Sequence, residues 1–290
     1  QFDGWSEDGK GGIYFYNDAR ASTPWGDNRP DYGRSEVRQY LRDNALMWLR
    51  DYRADGLRLD AVHAIHDESA THFLEQLAAE VAGFNAQSGR RTVLIAESDF
   101  NDPRLVRSRE QFGFGIDAQW ADDFHHALHS VLARDASGYY EDFGTIAHLA
   151  AALASPFVYD GSYSRHRKRT FGRPPAGIQN NSFVVGIQNH DQVGNRARGE
   201  RIGHLVSQRE AMIAAALVIL SPYVPMLFAG EEWNASSPFQ YFTAHIEEEL
   251  ANAVREGRLS EFAAFGWKRE DIPDPQDEAT FMRSKLMWRE

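Results

Sequence analysis

The chain has 290 residues, 42% of them hydrophobic and 25% charged, with a formal net charge of -11 and no cysteine. That length supports a sizeable core, in one large α/β domain or two smaller ones. The negative charge argues against nucleic acid or an anionic membrane as main partner, since both demand a positive surface. The missing cysteines exclude disulfides, thiol nucleophiles and cysteine metal sites, and fit a reducing, cytoplasmic compartment.

Residues 1–34 are rich in Gly, Asp, Asn and aromatics without a clear period, and predict a long loop region. A helix follows from Ser35, with Val37, Leu41, Met47 and Trp48 on its apolar side and Gly56 suited to stop it. The stretch DGLRLDAV then predicts a strand over about 57–62. Phe73, Leu77, Val81 and Phe84 recur at helical spacing. RTVLIAES is a short apolar strand ending at Glu97, and GFGIDAQW a weaker one ending at Trp120. Helices are expected near 123–134 and 144–154. NSFVVGIQNHD predicts a strand ending in Asp191, SQREAMIAAALVILS a helix, and VPMLFAGEEW a strand ending at Glu231. From about 240 the chain is polar and helical. The basic run Arg165–Arg169 reads as a solvated loop. The longest apolar stretch, Ala211–Gly230, contains Pro222 and Pro225, so it predicts a buried helix, a turn and a strand instead of a membrane span. No charged-then-apolar leader opens the chain.

Alternating strand and helix implies a parallel sheet covered by helices. Carboxylates stand at the C-terminal ends of the strands, where doubly wound sheets and (β/α)8 barrels both carry function. No glycine-rich dinucleotide fingerprint or phosphate loop appears, so no cofactor is implied. Side chains alternate along a strand, so Arg58 and Asp60 share one face. A cation beside a carboxylate keeps it ionised, as a nucleophile requires; a buried ion pair that only sets register is the plainer alternative. Glu97, poorly solvated among other carboxylates, is a candidate general acid with a raised pKa, or else a helix N-terminal acid. Asp191, in QNHDQVGN, sits beside His190 and could hold hydroxyls, or form a capped turn with Asn189. His125, His126 and His129 lie at helical spacing, but without a third ligand pattern they read as helix-surface or subsite histidines and no metal site is expected. Two carboxylates flanking one bond is the arrangement of glycoside hydrolysis.

DGLRLDAV, LIAES and IQNHDQ together resemble three signature regions of the alpha-amylase clan of glycoside hydrolases, at the ends of barrel strands four, five and seven. That resemblance implies Asp60 as nucleophile, Glu97 as acid/base and Asp191 as transition-state stabiliser, with Arg58 orienting the nucleophile and His190 holding substrate. IAESDFNDPRLV, DAQWADDFHHALH, FVYDGSYS and PMLFAGEEW, with other stretches along nearly the whole chain, look like the maltooligosyltrehalose trehalohydrolase family. The resemblance implies cleavage of the α-1,4 bond next to the trehalose end of maltooligosyltrehalose, and a functional partnership with maltooligosyltrehalose synthase. It also carries Asp122, Phe124 and Glu232 over as sugar-contacting residues. An alpha-amylase, a branching-type enzyme, a non-catalytic sugar-binding protein and a gene remnant are the alternatives.

The family's fold is a (β/α)8 TIM barrel, here expected to be incomplete. Residues 1–34 resemble the loop after barrel strand three and residues 35–290 the C-terminal part of the barrel. Strands one to three, the preceding β domain and most of the C-terminal β domain have no counterpart. Open sheet edges predict that this chain alone is poorly stable or inactive. A differential scanning melt tests this: a cooperative transition together with sugar-hydrolysing activity would overturn it.

Overall fold

The computed structural model describes residues 12–23, 26–27, 29–263 and 268–288. Residues 1–11, 24, 25 and 28 of the expected loop region lie outside the described residues. In chain order the elements are β1 (Ser22–Thr23), β2 (Gly26–Asp27), α1 (Ser35–Arg50), β3 (Gly56–Leu59), α2 (Phe73–Ser88), β4 (Val93–Ala96), β5 (Ala118–Trp120), α3 (Asp122–Ala133) and α4 (Ile146–Ala154). There follow β6 (Asp160–Ser164), β7 (Arg169–Gly172), β8 (Phe183–Val185), α5 (His190–Gly194), α6 (Ile202–Leu205), α7 (Gln208–Ile219), β9 (Val224–Pro225), α8 (Glu248–Ala263) and α9 (Glu278–Ser284). They fall into two compact units, Gln1–Ala121 with Ser155–Val184 and Asp122–Ala154 with Val185–Glu290.

The first unit is an α/β layer. Strands β3, β4, β5 and β8 run parallel in that spatial order. The register places Arg58 opposite Ile95 and Leu59 opposite Ala96. Leu49 of α1, Leu74 and Leu77 of α2, Leu94 of β4 and Ile116 form one buried apolar cluster with Tyr32. Burial of such side chains contributes about 1.5–3 kcal/mol each. Two devices sharpen the edges of these elements. The His72 ring caps α2 by accepting from the Leu74 N–H at 3.2 Å, and Gly89 ends it in the left-handed region at φ 69°. The Asp117 carboxylate accepts from the Leu94 N–H at 2.8 Å, pinning β4 to the start of β5.

Several sequence expectations are corrected in this unit. α1 buries Val37, Ala45 and Leu49, while Trp48 is exposed and packs on Tyr52. The helix ends at Arg50, and Gly56 instead opens β3, where a Cβ would fall 2.8 Å from the Val93 carbonyl oxygen. Glycine is therefore needed for close strand approach, not as a helix stop. The expected loop over 1–34 includes the short antiparallel pair β1–β2. The basic run sits in an antiparallel hairpin, β6–β7, that charge content alone does not reveal. Arg167 in its turn donates to the Asp99 carboxylate at 2.9 Å and covers the Phe171 ring at 3.9 Å.

The second unit is mainly helical. α3 packs against α4, and α6 against α7. The Val185 carbonyl, at the end of β8, accepts from the Met226 N–H at 2.8 Å, next to β9. Here β8 ends at Val185, six residues before Asp191, and β9 ends at Pro225, well before Glu231. The apolar run overshoots the strand because Ile187 and the residues after it leave the ladder while staying buried. α7 carries a Ser207–Glu210 capping box, as SQRE suggests, but only Ala214 and Val218 are buried. Met212 and Leu220 stand exposed, contrary to a fully buried helix. Among the described residues no helix is long and apolar enough to cross a membrane.

Leu94 is 1% exposed at the centre of the first unit's cluster. Leu94→Ala is expected to destabilise the fold by about 2–5 kcal/mol. Urea unfolding should show the loss as a lower midpoint at unchanged slope.

Candidate active site

β3 ends at Leu59, and the next two residues turn sharply. Ala61 occupies the left-handed region, φ 42° and ψ 46°, which a residue with a Cβ adopts only under constraint. Glu97, just past β4, supplies that constraint three times. Its N–H donates to the Leu59 carbonyl at 2.9 Å, and its own carbonyl accepts from the Val62 N–H at 3.0 Å. Its carboxylate accepts from the Ala61 N–H at 2.5 Å. The strained turn is therefore held open by the strand-end glutamate, and it places Asp60 at the rim. No sequence pattern flags Ala61; an alanine in this conformation is visible only in the backbone.

Arg58 lies between the two carboxyl groups. Nη1 donates to Asp60, and Nη2 lies 3.7 Å from Glu97 Oε2. The guanidinium stacks over the Trp120 ring at 4.5 Å, which fixes its plane from below. The expectation of a buried pair holds only in part. The Asp60 side chain is 78% exposed, whereas that of Glu97 is 16% exposed. The two carboxyls thus share a cation but not an environment. Burial pushes the Glu97 carboxyl above its ordinary value, and the Asp60 charge adds to this; the Ala61 N–H, Arg58 and His63 pull the other way. One carboxyl biased toward holding a proton beside one in water suits acid/base and nucleophilic work.

In the second unit, His190 and Asp191 form the first turn of α5. The Asn189 side chain caps that helix by accepting from the Gln192 N–H at 2.9 Å. The capped turn is present, but Asn189 alone is the cap, which leaves Asp191 free of that duty. His190 Nε2 lies 3.4 Å from Asp191 Oδ2, with both side chains about half exposed. Gln188 is buried, donating to Glu231 Oε2 at 3.2 Å and accepting from the Ile202 N–H at 2.9 Å. Burial pushes the Glu231 carboxyl up, while bonds from the Phe228 N–H and Gln188 oppose this.

The remaining expected sugar contacts fare unevenly. Asp122 opens α3 and is half-buried, and Glu232 is exposed, accepting from the Gly230 N–H at 2.8 Å. Phe124 is fully buried and meets Tyr223 edge-on at 6.2 Å, so its ring serves the core. The three histidines of α3 are buried, which corrects a helix-surface placement. Among the described residues no cluster of three potential metal ligands occurs. Aromatic rings of Tyr139, Tyr140 and Phe143 surround these imidazoles instead.

No protein-family model matches the chain. Curated relatives do. It is 50% identical to the malto-oligosyltrehalose trehalohydrolase of Arthrobacter ramosus over 278 residues, 95% of this chain and 48% of that protein. Over nearly its whole length this chain is similar to malto-oligosyltrehalose trehalohydrolases. Identity to the enzyme so named from Rhizobium sp. (strain M-11) is 49% over 270 residues, covering 92% of this chain and 45% of that one. A solved Salmonella typhimurium structure with an alpha-amylase assignment superposes with a TM-score of 0.87 at 39% identity, covering 96% of this chain and 47% of that chain. The chain spans about half the length of the curated relatives it matches.

The opposed influences on Glu97 make a direct test. Arg58→Gln should raise the Glu97 pKa further, because a cation that favours the carboxylate is lost. Asp60→Asn should lower it, because a like charge is lost. Carbon-13 titration of the Glu97 carboxyl reads both shifts, and shifts of the opposite signs would refute the arrangement. The native value lies above the unfolded one, so Glu97 subtracts stability as pH rises through the ordinary glutamate range and up to the raised value. Glu97→Gln should remove that pH dependence from the unfolding free energy.

Proposed function

We propose that the protein is a retaining glycoside hydrolase that cleaves the α-1,4 bond next to the trehalose end of maltooligosyltrehalose, releasing trehalose and a maltooligosaccharide. The observation that carries this reading is the shared guanidinium: Arg58 joins an exposed aspartate to a buried glutamate whose carboxyl is pushed up. In this reading Asp60 attacks the anomeric carbon as the C1–O bond breaks, and Glu97 gives its proton to the departing trehalose oxygen. The glycosyl ester on Asp60 is then opened by water, whose proton returns to Glu97. Arg58 orients Asp60. Asp191 and His190 hold the sugar as it flattens toward an oxocarbenium ion, and Asp122 and Glu232 contact sugar hydroxyls. A retaining mechanism sets the two working carboxyls about 5–5.5 Å apart during reaction.

The fold that suits this chemistry is a (β/α)8 barrel of which the parallel strands β3, β4, β5 and β8 form part, with residues 1–34 as the loop following its third strand. A cytoplasmic enzyme supplied with substrate by maltooligosyltrehalose synthase completes the reading. The alpha-amylase assignment of the Salmonella relative favours a second one, hydrolysis within plain α-1,4-glucans. Comparing trehalose release from maltooligosyltrehalose with cleavage of maltooligosaccharide separates the two.

Glu97→Gln in the full native protein should lower turnover by about 10²–10⁴, the span that general acid–base catalysis supplies. Substrate affinity, measured by calorimetry, should survive. Turnover within threefold of the native enzyme would overturn the assignment of Glu97.

A further inference from the structure

The segment that leads into His190 and Asp191 is anchored at each residue. Asn189 caps α5, and Gln188 is held by Glu231 and the Ile202 N–H. Ile187, two residues beyond the end of β8, is held by its carbonyl. The partner is His125 of α3, whose Nδ1 lies within hydrogen-bonding distance of the Ile187 oxygen. A carbonyl can only accept, so Nδ1 carries the proton and Nε2 is the acceptor. Tyr140 fits that tautomer, with its hydroxyl 2.7 Å from Nε2. The Tyr139 hydroxyl donates in turn to Tyr140 at 3.4 Å. The His129 ring stacks on Tyr140 at 4.5 Å and 19°, which keeps that phenol from swinging away.

His125 is 3% exposed. An imidazole is an expensive filler for such a position, because each ring nitrogen must find a partner. A phenylalanine or leucine would fill comparable space without that demand. What histidine adds is one directed donor to one backbone oxygen, with the tautomer fixed from behind.

We propose that His125 is a positioning residue for the His190–Asp191 pair, acting through the Ile187 carbonyl. This rests on the role proposed above for Asp191. The mechanism is geometric. The Ile187 carbonyl sets the peptide plane entering Gln188, and a rotation there is carried into the start of α5. An ångström of misplacement at a charge-stabilising group costs on the order of a hundredfold in rate. Binding is less sensitive, because the other contacts to a long sugar chain remain.

Three variants of the full native protein test the idea, each assayed for trehalose release and for a cooperative melt. His125→Phe should lower kcat by 30-fold or more with KM within threefold of native. His125→Asn places an amide N–H near the original Nδ1 and should return kcat to within about threefold of native. Asp191→Asn is the control on the parent reading. If Asp191→Asn keeps native kcat, the role of Asp191 fails, and the inference with it. If Asp191→Asn is inactive but folded His125→Phe keeps native kcat, the positioning role alone fails. Equal losses in His125→Phe and His125→Asn would also sink it, marking His125 as a packing residue. Should His125→Phe not fold, Tyr140→Phe replaces it, read by kcat and by the nitrogen-15 pattern of His125. A lower kcat at unchanged KM, with the pattern moved away from the Nδ1–H tautomer, supports the proposal; unchanged kcat overturns it.

Discussion

Glu97 spends both its backbone and its side chain on the exit of β3, and the geometry of that strand end depends on this double use. Its N–H and carbonyl continue the pairing one residue past β4, to Leu59 at the end of β3 and to Val62 beyond it. Its carboxylate holds the Ala61 N–H in a turn that alanine does not choose freely. The constraint runs in both directions. The turn keeps Asp60 at the rim, and the same hydrogen bond removes one lone pair of Glu97 from water. Burial pushes that carboxyl up, and the Ala61 N–H it holds opposes the push.

The electrostatics follow from one cation serving two acids. Arg58 is partly buried and its plane is set by Trp120, so it cannot follow either carboxylate without leaving the ring. Asp60 stays with water and Arg58, while Glu97 stays with the protein interior. Burial, more than residue type, pushes the Glu97 carboxyl up. In the second unit a similar economy holds. His125 there is spent on the Ile187 carbonyl, and the Gln188 and Asn189 side chains on Glu231 and on the Ile202 and Gln192 N–H groups, while His190 and Asp191 stay half exposed and paired with each other.

How much was legible beforehand differs by element. Helices α2, α3 and α7 were readable, because their apolar residues repeat at the helical period and SQRE announces a cap. β3, β4 and β5 were readable as short apolar runs bounded by polar residues. The ends of β8 and β9 were not, since an apolar run does not show where ladder hydrogen bonds stop. The β6–β7 hairpin is not legible because DGSYSRHRKRTFG is polar, and its order comes from Arg167 covering Phe171 within the hairpin and reaching Asp99, far away in sequence. The burial of the α3 histidines is illegible for a related reason: periodicity shows which residues share a face, not which face is covered.

The sequence by itself determined the residue types available for chemistry, the strand–helix alternation and the family resemblance. Each is local, written in a few consecutive side chains such as LRLDAV, LIAES and QNHDQ. Only the tertiary structure decided that Asp60 is exposed and Glu97 is not, that Arg58 serves both, that Ala61 is strained, and that His125 holds a carbonyl sixty-two positions away. Solvation and hydrogen-bond direction depend on what surrounds a group in space, and no local pattern of residues encodes that.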